Sequence, residues 1–182
     1  WVWDPGEHTT WTFGGEAALS SAEYEYSRAA QYDPQIAAAF KRFAKAAASG
    51  ADAVILDLED AVAPAGKDAA RKALDASFTD LPVLVRINAH GTPWHDRDVA
   101  AVAALPVAAV VLPKAEDAET CGIVAGATGR PVIALVESAA GLARARAIAA
   151  ADGVARLAFG SIDFCAETSN SQMRRLSPSG AT

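Results

Sequence analysis

The sequence predicts an α/β protein, a (β/α)8 barrel of the TIM type that is incomplete at its C-terminal end. Three observations carry this. Five short apolar, β-branched runs occur at 53–58, 83–87, 109–112, 132–136 and 156–159, apolar on both faces as parallel strands covered on both sides must be. Alanine-rich, helix-favouring stretches separate them, at roughly 64–77, 96–105, 116–127 and 139–151. Taking Leu58, Arg86, Leu112, Val136 and Gly160 as run ends, the intervals are 28, 26, 24 and 24 residues, a βα repeat of near-constant length. A doubly wound nucleotide fold is disfavoured, because no GxGxxG turn or P-loop follows any run.

Each part of the chain has its own character. Residues 1–34 form an N-terminal extension, aromatic and poorly patterned, with three of the four tryptophans and a faint strand signal at Trp11-Thr12-Phe13. Residues 35–164 are the barrel portion. It opens with a helix over 35–49 that sets Ile36, Phe40, Phe43, Ala44 and Ala47 on one face and stops at Gly50, a residue suited to a left-handed cap. Residues 165–182 are polar and serine-rich and read as a tail.

Composition narrows the function. The 182 residues carry 16 Lys+Arg against 22 Asp+Glu, a formal charge of −6, with no long basic stretch, so nucleic-acid binding is disfavoured. Alanine alone contributes 45 residues to a 52% hydrophobic chain, which implies close-packed helix faces. Cys121 and Cys165 match neither a metal-ligand spacing nor a disulfide framework, and a reducing, cytoplasmic setting is expected. The most apolar stretch, 99–113, is interrupted by Pro106 and is too short to span a bilayer, and the N-terminus lacks the basic region of a signal peptide.

Every run ends in ionisable residues, all at the same end: Asp57, Glu59 and Asp60; Arg86; Lys114 and Glu116; Glu137; Asp163. A single charge at a strand end is as readily a solvent boundary as a site. Five sets at the end where barrel enzymes build active sites favour a site. Glu137 and Asp163 lie on successive units and suit Mg²⁺, which keeps several waters and prefers oxygen ligands. Histidine is missing from the strand ends, so Zn²⁺ is disfavoured. Arg86 offers a planar fork for a carboxylate. A cation and an arginine at one mouth suit a substrate with a carboxylate beside a carbonyl.

The segment Gly50-Ala51-Asp52-Ala53-Val54-Ile55-Leu56-Asp57-Leu58-Glu59-Asp60-Ala61-Val62 resembles the signature of the HpcH/HpaI aldolase family, in its citrate lyase β-subunit-like branch. So do Val85-Arg86-Ile87-Asn88-Ala89, Leu112-Pro113-Lys114-Ala115-Glu116, Ala134-Leu135-Val136-Glu137-Ser138-Ala139-Ala140-Gly141 and Phe159-Gly160-Ser161-Ile162-Asp163-Phe164. The resemblance covers about Arg42 to Phe164. It implies a Mg²⁺-dependent carbon–carbon lyase acting through a metal-stabilised enolate on acyl-CoA thioesters of hydroxy acids, of the citryl-CoA or malyl-CoA kind, or on related 2-oxo acids. Under it, Glu137 and Asp163 hold the metal, Arg86 holds the substrate carboxylate or thioester oxygen, and Glu59 and Asp60 order the arginine and the metal's waters. The family continues beyond the Asp163 motif with two strands that residues 165–182 do not show, so no general acid or base is assigned within this chain. The alternative is a non-catalytic, truncated or degenerate paralogue that binds ligand or a partner barrel.

The remaining candidates are bland. His90, Trp94 and His95 read as a solvated loop tip, with a lid or CoA contact as the other reading, and His8 as a surface residue. Cys165 reads as a small packed residue; Lys114 could form a Schiff base, but the paired carboxylates favour the metal route and it reads as a structural or ion-pairing lysine. An open sheet edge at 156–159 predicts a homo-oligomer, with Trp1, Trp3, Trp11 and Phe13 suited to cover the opening.

Overall fold

The computed structural model describes residues 51–176, with side chains as far as Ser169. Five strands form one parallel sheet: β1 (Val54–Asp57), β2 (Val83–Arg86), β3 (Ala109–Leu112), β4 (Val132–Val136) and β5 (Val154–Phe159). Their spatial order is their chain order. A doubly wound sheet reverses direction at a switch point, whereas consecutive neighbours are the wall of a barrel. The helices are α1 (Lys67–Lys72), α2 (His95–Ala103), α3 (Ala118–Thr128), α4 (Ala139–Ala149) and α5 (Ser161–Leu176), with a 3-10 turn at Pro64–Gly66.

Strands β1 to β4 are apolar on both faces because both are buried, while β5, at the sheet edge, is only partly covered. One face, with Val54, Leu56, Val83, Val85, Val110, Leu112, Val132 and Ala134, packs with Val102, Val124 and Ile148 of the helices. The other carries Leu84, Ala109, Val111, Ile133 and Leu135, with Ile55 and Ala158 against them. The strand period of two then decides the site. One step of two beyond Ile55, Leu84, Leu135 and Ala158 brings Asp57, Arg86, Glu137 and Gly160 to the same end of that second face.

Local chemistry sets the helix ends. Asp117 Oδ1 accepts from the Thr120 N–H at 2.6 Å to start α3, which ends at Gly129 with φ +62°. Ser138 caps α4 by accepting from the Gly141 N–H at 3.1 Å.

Two expected boundaries move. The helix expected over 64–77 is only α1, because Asp75 Oδ1 takes both the Ser77 N–H and its hydroxyl at 2.7 Å, a local turn that competes with helix. The expected polar tail 165–182 is helical through Leu176. The Thr168 hydroxyl donates back to the Phe164 carbonyl at 2.9 Å, so a polar run is satisfied inside the helix, and Asp163 sits favourably in its first turn. The 35–49 helix, the extension 1–34 with Trp1, Trp3, His8, Trp11 and Phe13, and residues 177–182 lie outside the described residues. No helix among the described residues is long and apolar enough to cross a membrane.

Candidate active site

Asp57 and Arg86 are register partners on β1 and β2. The Asp57 carboxylate is fully buried and accepts four hydrogen bonds: from Arg86 Nε at 2.8 Å and Nη2 at 2.5 Å, from the Glu59 N–H at 2.8 Å and from the Ala61 N–H at 3.0 Å. Burying a carboxylate is tolerable only with such compensation. The pairing takes the Nε/Nη2 fork that a substrate carboxylate was expected to use. Arg86 Nη1 faces Glu59 Oε2 at 3.5 Å and Asp60 Oδ2 at 3.7 Å. From the sequence, Asp57 is one of the ionisable residues at the strand ends but carries no assigned role, unlike Arg86, Glu59 and Asp60; its place two residues beyond Ile55 is the signal that it shares their face.

A second cluster gathers on Lys114, in the turn after β3. Its Nζ lies 3.3 Å from Glu59 Oε1, 3.1 Å from Asp163 Oδ2 and 3.6 Å from Glu137 Oε1. Lys114 is the one non-glycine residue with positive φ (49°) among those described, and in that conformation its N–H donates to Glu137 Oε1 at 2.9 Å. Gly160 makes the other wall. A Cβ there would stand 2.6 Å from Glu137 Oε2 and 2.7 Å from Glu137 Cβ, so the carboxylate occupies space that only glycine leaves.

The electrostatics follow from burial. Desolvation pushes the Glu59 carboxyl up to about 7 against the pull of Arg86, and its buried Oε2 has no hydrogen-bond partner. Burial also raises Glu137, opposed by the Lys114 N–H and ammonium. For Lys114, burial would favour the neutral amine, but Glu59, Asp163 and Glu137 outweigh it and hold the ammonium well above its usual range.

Behind the mouth lies a buried polar network. Lys67 Nζ donates to the carbonyls of Leu58 and Glu59 at 2.8 and 2.6 Å and to Asn88 Oδ1 at 2.7 Å. Asn88 Nδ2 donates to Asp98 Oδ2 at 2.5 Å and to the Leu58 carbonyl at 2.9 Å, and Arg71 Nε donates to Asp98 Oδ1 at 2.8 Å. These residues fix the backbone that carries Glu59. His95 is not at a solvated loop tip: it is buried, with Nδ1 2.8 Å from the Asn88 carbonyl, and the Trp94 ring lies 5.2 Å from Lys67 Nζ. Cys165, expected to be packed, is exposed on α5.

All five expected site residues therefore stand at one end of the sheet, linked through Arg86 and Lys114. Acceptor-only carboxylates converge there on a cation, and the chain itself supplies that cation as an ammonium. No group of three His, Cys, Asp or Glu among the described residues forms a ready metal cage. Glu137 and Asp163 alone fit an ion that keeps most of its waters.

A sequentially ordered parallel wall, with charged residues gathered beyond its strand ends, is the arrangement of the mouth of a (β/α)8 barrel. The chain belongs to the HpcH/HpaI aldolase/citrate lyase family, whose model matches residues 37–175. It is 48% identical over 136 residues to the citrate lyase subunit beta-like protein of Mycobacterium tuberculosis, a match covering 74% of this chain and 48% of that protein. It is 36% identical over 129 residues to the (3S)-malyl-CoA thioesterase of Cereibacter sphaeroides, covering 68% of this chain and 45% of the other. CitE of M. tuberculosis, solved with magnesium, acetoacetate and coenzyme A, aligns with a TM-score of 0.62 and 47% identity over 71% of this chain and 48% of that one. The chain spans about half the length of the curated relatives it matches.

Proposed function

We propose that this chain carries the metal and substrate end of a Mg²⁺-dependent carbon–carbon lyase that cleaves an acyl-CoA thioester of a hydroxy acid, of the citryl-CoA or malyl-CoA kind, or a related 2-oxo acid. The observation that supports it best is the convergence of the Glu137 and Asp163 carboxylates on one cationic atom, beside Arg86. Related proteins solved with magnesium and with small oxo acids or coenzyme A support the same assignment. Glu137 and Asp163 would hold Mg²⁺. Bound there, the ion would supply Lewis-acid stabilisation of the negative charge that develops on the substrate when the carbon–carbon bond breaks.

This chain's residues do the rest by position. Asp57 holds Arg86 in one orientation, with Nη1 toward Glu59 and Asp60, and a substrate carboxylate or thioester oxygen would meet the guanidinium on that side. The buried Lys67–Asn88 network keeps Glu59 in place. Gly160 leaves Glu137 the room it needs. The half-exposed β5, with Phe159 46% accessible, suits an edge that a second copy of the chain covers, and sedimentation velocity reads this directly.

The test is turnover of malyl-CoA and citryl-CoA by the purified chain with Mg²⁺ and with EDTA. Metal-dependent cleavage of either supports the lyase. Tight binding of Mg²⁺ and of the thioesters without cleavage supports instead a ligand-binding paralogue. No binding of either rejects both.

A further inference from the structure

Resting on the magnesium reading above, we propose that Lys114 is a built-in competitor for the cation position: its ammonium contends with Mg²⁺ for the same carboxylate oxygens, and Mg²⁺ binds by displacing it.

The argument is one of shared oxygens. Lys114 Nζ sits 3.1 Å from Asp163 Oδ2 and 3.6 Å from Glu137 Oε1, the two carboxylates assigned to the ion, and 3.3 Å from Glu59 Oε1. Mg²⁺ takes oxygen at ~2.0–2.1 Å and carries its own water shell. An ammonium and a hydrated dication cannot both lie among these carboxylates without strong repulsion. One must leave, and the lysine is made to do so. Its side chain is 46% exposed, on a flexible four-carbon stem that reaches solvent without moving anything else.

The backbone, by contrast, is held. The Lys114 N–H donates to Glu137 Oε1, and the Ala115 N–H donates to the Leu135 carbonyl at 3.0 Å. Displacement therefore involves the side chain alone. A left-handed backbone is strained at a lysine, and this turn aims both the N–H and the ammonium at Glu137. A neutral residue at 114 would leave Glu137 and Asp163 facing one another with Arg86, beside Glu59, as the remaining counter-charge. Such a mouth attracts a dication more strongly.

Two measurements on the full chain decide it. In the first, the wild-type protein is treated with a limiting amine-acylating reagent, and modification of Lys114 is followed by mass spectrometry with and without saturating Mg²⁺. The expected result is a several-fold faster modification of Lys114 with Mg²⁺, other lysines being unchanged. In the second, Mg²⁺ is titrated calorimetrically into wild type and Lys114→Met, and the variant is expected to bind at least about fivefold tighter. A Lys114 rate unmoved by Mg²⁺, or an affinity in Lys114→Met equal to or weaker than wild type, overturns the proposal. Should the variant fail to fold, the wild-type modification rate decides alone. If the wild type takes up no Mg²⁺ at all, the magnesium reading of the mouth fails and the competition falls with it; uptake without either effect rejects the competition only.

Discussion

Arg86 and Asp57 stand side by side on β2 and β1, and the arginine gives its Nε and Nη2 to the two carboxylate oxygens at 2.8 and 2.5 Å. A bidentate pair at this burial fixes the guanidinium plane, so the arginine meets its ligand from one edge only. Arg86→Lys keeps the charge and loses the fork. It is expected to leave one Asp57 oxygen short of a donor, at a cost of about 1–3 kcal/mol in urea unfolding. It is also expected not to restore substrate affinity. Wild-type affinity in that variant would remove Arg86 from substrate binding.

Glu137→Gln separates metal binding from folding. The amide oxygen can still accept the Lys114 N–H, and the residue lies at the strand end, outside the apolar layers. Stability is expected to change by about 1 kcal/mol or less, while Mg²⁺ affinity measured by calorimetry drops at least tenfold. Affinity held at the wild-type level would assign the ion to other residues.

Gly160→Ala tests the wall of that carboxylate. The added methyl would meet Glu137 Oε2 at 2.6 Å and Glu137 Cβ at 2.7 Å, so the carboxylate must turn away and the main chain must shift as well, because Cβ does not move with side-chain rotation. The expected result is a destabilisation of about 1–3 kcal/mol and loss of Mg²⁺ uptake. Gly126→Ala, in α3 with nothing within 4 Å of the new methyl, is the control. It is expected to stabilise the chain by roughly 0.5–1 kcal/mol.

The strands and the charges at their ends were legible because both are local patterns: short continuous apolar, β-branched runs, then ionisable residues at a near-constant interval. What the sequence hid is long-range or conformational. Lys67 and Asp98 look like ordinary helix-surface charges in a linear reading, yet each is buried against Asn88 from a different element. Lys114 reads as a generic ion pair until its positive φ and its three carboxylates appear together. Helix α5 was missed because serine and threonine weigh against helix by propensity, and the Thr168 back-bond to Phe164 is not a sequence signal.

Lys67→Met tests that hidden support. The thioether matches the stem but removes the donor to two carbonyls and to Asn88 Oδ1, all buried. The expected cost is about 1–3 kcal/mol, because Asn88 Oδ1 loses its donor in a dry environment while the Leu58 and Glu59 carbonyls keep Asn88 Nδ2 and the Val62 N–H. Hydrogen exchange should speed up over the 58–62 segment before it does over β3 and β4. Uniform exchange would argue that the network stabilises the whole sheet and does not specifically hold Glu59.

Glu59 makes stability depend on pH in an unusual direction. Burial raises its carboxyl from 4.5 to about 7, so between these values the folded protein holds a proton that the unfolded chain has released. Stability of the metal-free protein therefore falls as pH rises through that window and levels off above it. Each pKa unit corresponds to about 1.4 kcal/mol, and with Arg86 and Lys114 nearby the swing is on the order of 2–3 kcal/mol. Glu137, raised in the same direction, adds a slope of its own. Subtracting the curve of Glu59→Gln from that of wild type isolates the Glu59 part. Urea unfolding in EDTA from pH 4.5 to 8 should show the variant gaining on wild type throughout, with the gap largest above pH 7. A gap that is flat, or that closes as pH rises, would mean that Arg86 and Lys114 keep Glu59 ionised despite its burial, and that the mouth holds one more fixed negative charge at neutral pH.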